Sequence, residues 1–196
     1  QAQIREPSSW SCAHGIERWR SDCGCAMDPG SGFHQAWRGP LRDCLEWLRD
    51  ESRALLDPLG FQIFEDPETA RGDYGAFLSS RESFFEWVEP RLSRSGSEEA
   101  TAKGWLETQR HLLAMFTSCA WFFDDSTGLE PQQNLRHAAC VVGLIKELTG
   151  VDLSGPFSER VSQIPANTEN RVLVQTLENF SLRSNHPPAP PACQER

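Results

Sequence analysis

The chain has 196 residues, enough for one compact domain with its own core, or one domain plus a tail. Hydrophobic residues make up 38 % and charged residues 24 %, which excludes a wholly disordered chain. The formal net charge of −9 argues against a general nucleic-acid binder, which needs a positive surface to displace counterions from phosphates. No apolar run approaches the length of a membrane span, and no basic-then-apolar leader opens the chain. A soluble, cytoplasmic protein with neither nucleic acid nor membrane as partner is expected.

Gln1 to Pro7 reads like mid-chain connecting sequence, which suggests a piece of a longer protein. Next comes SSWSCAHGIERWRSDCGC, Ser8 to Cys25, with three cysteines, a histidine and two tryptophans. Residues 1–38 show no helical period and are expected to form an irregular loop.

Helical periodicity begins near Leu41. Leu41, Cys44, Leu45, Leu48, Leu55 and Leu56 recur at three- and four-residue steps, opposite Arg42, Asp43, Glu46, Arg49 and Asp50. Pro40 is placed to start this helix and Pro58 to stop it. Phe61 to Phe64 is the only plausible strand fragment. Asp66 followed by Pro67 predicts an N-capped second helix with Ala70, Tyr74, Phe77 and Leu78 on its apolar side. Arg81 to Leu92 reads as a short amphipathic piece with Phe84, Phe85 and Val88 inward.

The longest helix is predicted from Ser97 to Phe123, with Trp105, Leu112, Leu113, Phe116, Cys119 and Phe123 as its stripe. Another is predicted from Pro131 to Leu148, showing Leu135, Ala138, Ala139, Val142 and Ile145 before Thr149-Gly150 ends it. Shorter ones are expected over Pro156 to Ile164 and Asn170 to Phe180. SNHPPAPPACQER, from Ser184 on, is proline-rich. The fold class is therefore all-α. A single helical domain at 1–182 holds about five to six packed amphipathic helices, and 183–196 forms a disordered tail.

Seven cysteines is an odd number. Cys44, Cys119 and Cys140 fall on apolar stripes, where a thiol acts as a small hydrophobe, and Cys193 lies in the tail. That usage suits a reducing compartment better than a disulfide scaffold.

Three readings compete for the opening block. Cys12, His14, Cys23 and Cys25 have the number and softness for tetrahedral zinc. Their spacing is C-x-H and C-x-C, tighter than the usual two-residue knuckle, so neutral packing thiols are the favoured reading and no cofactor is expected, with zinc as the alternative. Cys23 and Cys25 could form a redox pair, but one intervening residue strains such a ring. Finally, Trp10 and Trp19 could stack on sugar rings, with His14, Glu17, Arg18, Arg20 and Asp22 as hydroxyl partners, against the plainer reading that tryptophans are core.

Asp124 and Asp125 close TSCAWFFDD at a helix C-terminus, where the dipole disfavours negative charge. Such a pair is expected to hold an arginine, cap the next turn or contact substrate, unless both are simply solvated. His111 and His137 lie on helices and are expected at a boundary or paired with carboxylates; His186 is in the tail. No Ser-His-Asp arrangement or phosphate loop is evident.

Three blocks, SSWSCAHGIERWRSDCGC, FHQAWRGPLRDCLEWLRD and LLAMFTSCAWFFDD followed by GLE, resemble a bacterial family called domain of unknown function 3536, over about residues 4 to 175. The resemblance implies a helical C-terminal region following a barrel related to glycoside hydrolase family 57, whose members cleave or transfer α-glucans with retention. Retention needs two carboxyls about 5 Å apart. By the resemblance both belong to the barrel, so no residue of this chain is expected to be catalytic. Ala13-His14-Gly15 is similar to a tryptophan-histidine-glycine stretch lining the cleft of some family 57 glucanotransferases, with alanine replacing tryptophan. The expected substrate-binding residues are Trp10, His14, Trp19, Asp22, Trp37, Trp121, Asp124 and Asp125. The partners implied are the barrel of the same parent protein and an α-glucan or oligosaccharide. The leading expectation is thus an accessory domain completing the cleft of a carbohydrate-active enzyme and inactive alone. The alternatives are a small zinc-binding helical module or a protein-interaction domain.

Overall fold

A computed structural model describes residues 6–93 and 98–167. The expected Ser97 cap, the helix at 170–180, His186, Cys193 and the tail at 183–196 lie outside the described residues. The described residues form seven α-helices: α1 (Arg38–Ile63), α2 (Pro67–Phe77), α3 (Phe84–Val88), α4 (Glu99–Ala114), α5 (Cys119–Phe122), α6 (Leu129–Thr149) and α7 (Ser154–Ser162). Two 3₁₀ turns, Glu17–Trp19 and Glu89–Arg91, accompany them. The fold is all-α.

The centre is the α4–α6 pair, with α1 laid against both, α5 on α6, α2 and α3 on α4, and α7 against α1 and α6. One continuous core joins them, with Leu41, Leu45, Leu48 and Leu56 of α1, Leu106 of α4 and Leu135, Ala138 and Ile145 of α6 fully enclosed. Non-directional burial of these stripes supplies the main drive to fold. Helix ends follow their local chemistry. Asp66 accepts from the Glu68 and Thr69 N–H groups, Ser83 and Glu86 form a reciprocal capping box, and Gly150 ends α6 in the left-handed region.

Several expectations are corrected. α1 does not stop at Pro58 but continues to Ile63. Pro58 and Ala54 lie on the exposed face, where water can take the Ala54 carbonyl that the missing N–H leaves open. On the inner face Leu56, Gly60 and Ile63 keep packing, and Trp105 Nε1 donates to the Leu56 carbonyl at 2.9 Å. Packing outweighs the proline. Phe61 to Ile63 are accordingly helical, and only Phe64 makes an isolated bridge, to Leu92.

The predicted long helix breaks after Ala114. Thr117 Oγ1 donates back to the Ala114 carbonyl at 2.7 Å, Asn134 Nδ2 donates to the Thr117 carbonyl at 3.0 Å, and Trp19 Nε1 to the Ser118 carbonyl at 3.1 Å. These donors satisfy the carbonyls a continuing helix would have used, and the redirected turn buries Ala120 and Trp121. The change of direction leaves Cys119 and Phe123 exposed instead of on a stripe, and Leu113 is exposed on the outer face of α4. Leu78 and Phe85 are also exposed, while Trp87, not anticipated inward, is buried. None of the helices among the described residues is long and apolar enough to cross a membrane.

Candidate metal centre

The opening block folds back so that Cys12, His14, Cys23 and Cys25 converge, with one ligand atom from each lying within 4.8 Å of all the others. Cys12 Sγ is 3.8 Å from Cys23 Sγ and 3.8 Å from Cys25 Sγ, and Cys25 Sγ is 3.6 Å from His14 Nδ1. A tetrahedral ion with sulfur at about 2.3 Å and nitrogen at about 2.0 Å has S–S edges of about 3.8 Å and S–N edges of about 3.5 Å. These three separations match those edges. They are far too long for a disulfide, and the six described cysteines are free thiols.

The one-residue gap that counted against a metal is resolved by Gly24. It has φ +74° with no atom near its missing Cβ, so the backbone reverses within one residue and turns both flanking sulfurs to the same side. The Asp22 carboxylate accepts the Gly24 N–H at 3.3 Å and steadies that turn.

Electrostatics within the cluster are asymmetric. Burial alone would push the Cys12 thiol up, but the backbone N–H groups of Arg18 and His14 and the Cys23 and Cys25 thiols outweigh it, bringing it down to about 7. Cys23 is pushed up by burial, with Cys25 and Cys12 opposing a second negative charge beside them. One thiolate forms easily and the next does not. A bound dication removes that conflict, because it neutralises thiolates that otherwise repel one another.

The residues behind the cluster hold it against the helices. Arg38 Nη1 donates to the Cys25 carbonyl at 2.8 Å. The Asp124 carboxylate accepts the backbone N–H groups of Met27, at 2.8 and 3.0 Å, and of Asp28, at 2.8 Å. Arg18 is buried with its guanidinium over Phe122, 5.1 Å from the ring centre. Asn167 exchanges hydrogen bonds with the His34 backbone and donates to the Asp124 carbonyl, tying the segment after α7 to the same loop.

The expected binding residues divide sharply. Trp37 and Trp121 are 0 % exposed, with indole N–H groups donating to the Asp124 and Arg38 carbonyls. They are core residues, and the expectation that either stacks on a sugar is corrected. Asp124 is enclosed in the loop-holding network and Asp125 caps the next turn, accepting from the Thr127 N–H and hydroxyl at 2.9 Å. Asp22 supports the Gly24 turn, Trp19 anchors to Ser118, and His14 joins the cysteines. Only Trp10 stands free, 89 % exposed beside Phe122, with ring centres 5.7 Å apart. Arg38 and Asn167 were not anticipated, and Arg18, expected as a hydroxyl partner, is instead buried over Phe122. The one sign of Arg38 was the unfavourably placed aspartate pair, which called for an arginine somewhere.

Fold and site together define an all-α domain with a Cys₃His cluster on an irregular opening segment. The family described as Domain of unknown function (DUF3536) matches residues 33–173, and the chain belongs to that family. The match begins after the cluster, which lies on the flank of the family region. No curated protein and no solved structure matches the chain.

Proposed function

We propose that the chain is a helical module whose opening segment is stapled by one structural zinc ion held by Cys12, His14, Cys23 and Cys25. The observation that carries this is the convergence of four soft ligand atoms within 4.8 Å of one another, three of their separations having the length of a tetrahedral edge. Four protein ligands fill a tetrahedral shell and leave no position for substrate, so the ion's role is to fix the segment rather than to act on a ligand. Elemental analysis of the purified protein tests it. About one zinc per chain is expected, lost in the Cys23→Ser and Cys25→Ser double variant. Less than about a tenth of an equivalent of metal, with thermal stability unchanged in chelator, overturns the proposal.

A second reading concerns what the stapled segment serves. We propose that it forms the docking side of a helical accessory region in a larger carbohydrate-active protein related to glycoside hydrolase family 57. Trp10, Phe122 and Phe123 support this reading. They form an aromatic run beside the segment, with ring centres 5.7 and 5.4 Å apart and both Trp10 and Phe123 exposed. On this reading the pure chain hydrolyses neither amylose nor maltoheptaose, and Trp10→Ala weakens its association with the separately produced upstream barrel. Turnover of either glucan by the pure chain refutes it.

A further inference from the structure

An open groove of about 650 Å³ lies between α1, α2 and α4. Arg42, Arg49 and Arg53 line it from one face of α1, at steps of seven and four residues. Arg71 enters from α2 and Arg110 from α4. A chain of net charge −9 thus gathers five of its 19 basic residues around one groove.

We propose that this groove binds a phosphorylated small molecule. Several features converge on that chemistry. Arg42 and Arg49 lie over the Phe116 ring, 5.1 and 5.9 Å from its centre, which restricts both guanidiniums. Their carboxylate partners are local and exchangeable. Arg42 pairs with Glu46 at 2.9 Å, Arg49 with Asp50 at 2.8 Å, Arg110 with Glu107 at 2.6 Å, and Arg71 with Glu68, each along its own helix. Arg53 makes no ion pair among the described residues.

A second observation is independent of charge. Gln109 lines the same groove, is only 5 % exposed, and its Nε2 finds no hydrogen-bond partner. That Nε2 is itself closed to solvent, so a ligand oxygen recovers the free energy of this unmet donor once the amide turns toward the groove. A carboxylate engages one guanidinium fork, whereas a phosphate can accept forks arriving from separate helices, as here. The volume exceeds what a bare phosphate fills, and Leu78 and Leu113, both exposed, offer apolar surface to an organic portion. The Glu68 carboxylate also lines the groove, so the ligand must draw Arg71 away from it.

Isothermal titration calorimetry on the full chain tests the proposal with inorganic pyrophosphate, glucose 1-phosphate, ADP and citrate as separate probes. One saturable site is expected for at least one phosphate compound with Kd below about 1 mM, weaker for citrate and weaker at high salt. A preference for glucose 1-phosphate or for ADP identifies the organic portion as sugar or nucleoside. Arg53→Gln and Arg71→Gln, both on accessible side chains, should each weaken binding about tenfold, as should Gln109→Leu, while Arg20→Gln leaves it unchanged. Absence of saturable binding for all phosphate probes, equal affinity for citrate, or affinity indifferent to Arg53 and Arg71 overturns it. The result is independent of whether zinc occupies the opening segment.

Discussion

Arg38 Nη2 lies 3.6 Å from Asp124 Oδ1, with side chains 0 % and 8 % exposed. Each charge is badly placed within its own element. Arg38 opens α1, at the positive end of its dipole, and Asp124 follows the C-terminal end of α5. Tertiary pairing compensates both, and their remaining atoms reach forward to the Cys25 carbonyl and the Met27 and Asp28 N–H groups. The pair thereby links the helical core to the backbone of the loop that carries the candidate ligands.

Asp124→Ala leaves Arg38 charged, enclosed and without its counterion, so unfolding free energy should fall by about 3–5 kcal/mol in urea denaturation. Asp124→Asn keeps an acceptor for the loop and should cost less. Asp124→Ala should lower zinc affinity about tenfold to a hundredfold in competition with a chromophoric chelator, and Asp124→Asn less, because only alanine takes away the acceptor that anchors the backbone behind Cys25. Unchanged affinity in Asp124→Ala would show that the pair stabilises the core without orienting the cluster.

If zinc is bound as proposed, removing it should open the segment and spare the helices. The core that joins α1 to α7 contains none of the four candidate ligands, so its stability does not depend on the ion as it does in a zinc finger. Circular dichroism should therefore keep its helical signal in chelator. Trypsin, in contrast, should begin to cut after Arg18, which is buried in the folded segment. Loss of helicity together with the metal would contradict this division.

Two glycines in neighbouring helices should respond in opposite directions to alanine. A Cβ on Gly60 would sit 2.7 Å from Trp105 Cζ2, in a contact the indole cannot easily leave because its N–H is bonded to Leu56. Gly60→Ala should cost about 1–3 kcal/mol. Gly72, within α2, has nothing within 4 Å of the same position, and alanine there should stabilise by about 0.4–1 kcal/mol through the unfolded chain. Paired thermal and urea measurements decide both signs.

Helix existence was legible from apolar spacing, since Leu41, Leu45, Leu48 and Leu56 all lie on the buried face where their period places them. Helix ends were less so. Pro58 is a stop signal in isolation, but it falls on the one face of α1 that water can serve. The break after Ala114 depends on Asn134 and Trp19, donors from distant positions that no local window contains. At the site, residue type pointed to metal while spacing pointed away. The C-x-C objection fails because the middle residue is a glycine at positive φ, something the letter G permitted but did not require. Trp37 and Trp121 show the opposite case, with aromatic character suggesting a sugar platform where the structure uses both to fill the core.

The histidine pair between α4 and α6 sets a pH dependence. His111 Nδ1 lies 2.8 Å from His137 Nδ1, and Arg110 Nη2 stands 3.4 Å from His111 Nε2, while Glu107 is 4.0 Å away and also holds Tyr74 of α2. Burial, Arg110 and His137 together bring His111 down to about 4, against the weaker opposing pull of Glu107. Burial and Arg110 lower His137 as well. A depressed histidine is neutral in both folded and unfolded chains above the ordinary value of about 6.5. Between that value and about 4 the unfolded chain takes up the proton first, so stability falls as pH falls through this window and levels off below it. His111 should account for a loss on the order of 3 kcal/mol, with its partner adding to it. Urea denaturation of the wild-type chain and His111→Asn in parallel, from pH 7 to pH 4.5, measures the difference, since any metal release at low pH is common to both. The variant should show the shallower slope. Parallel slopes would mean that His111 protonates as readily in the folded chain as in the unfolded one.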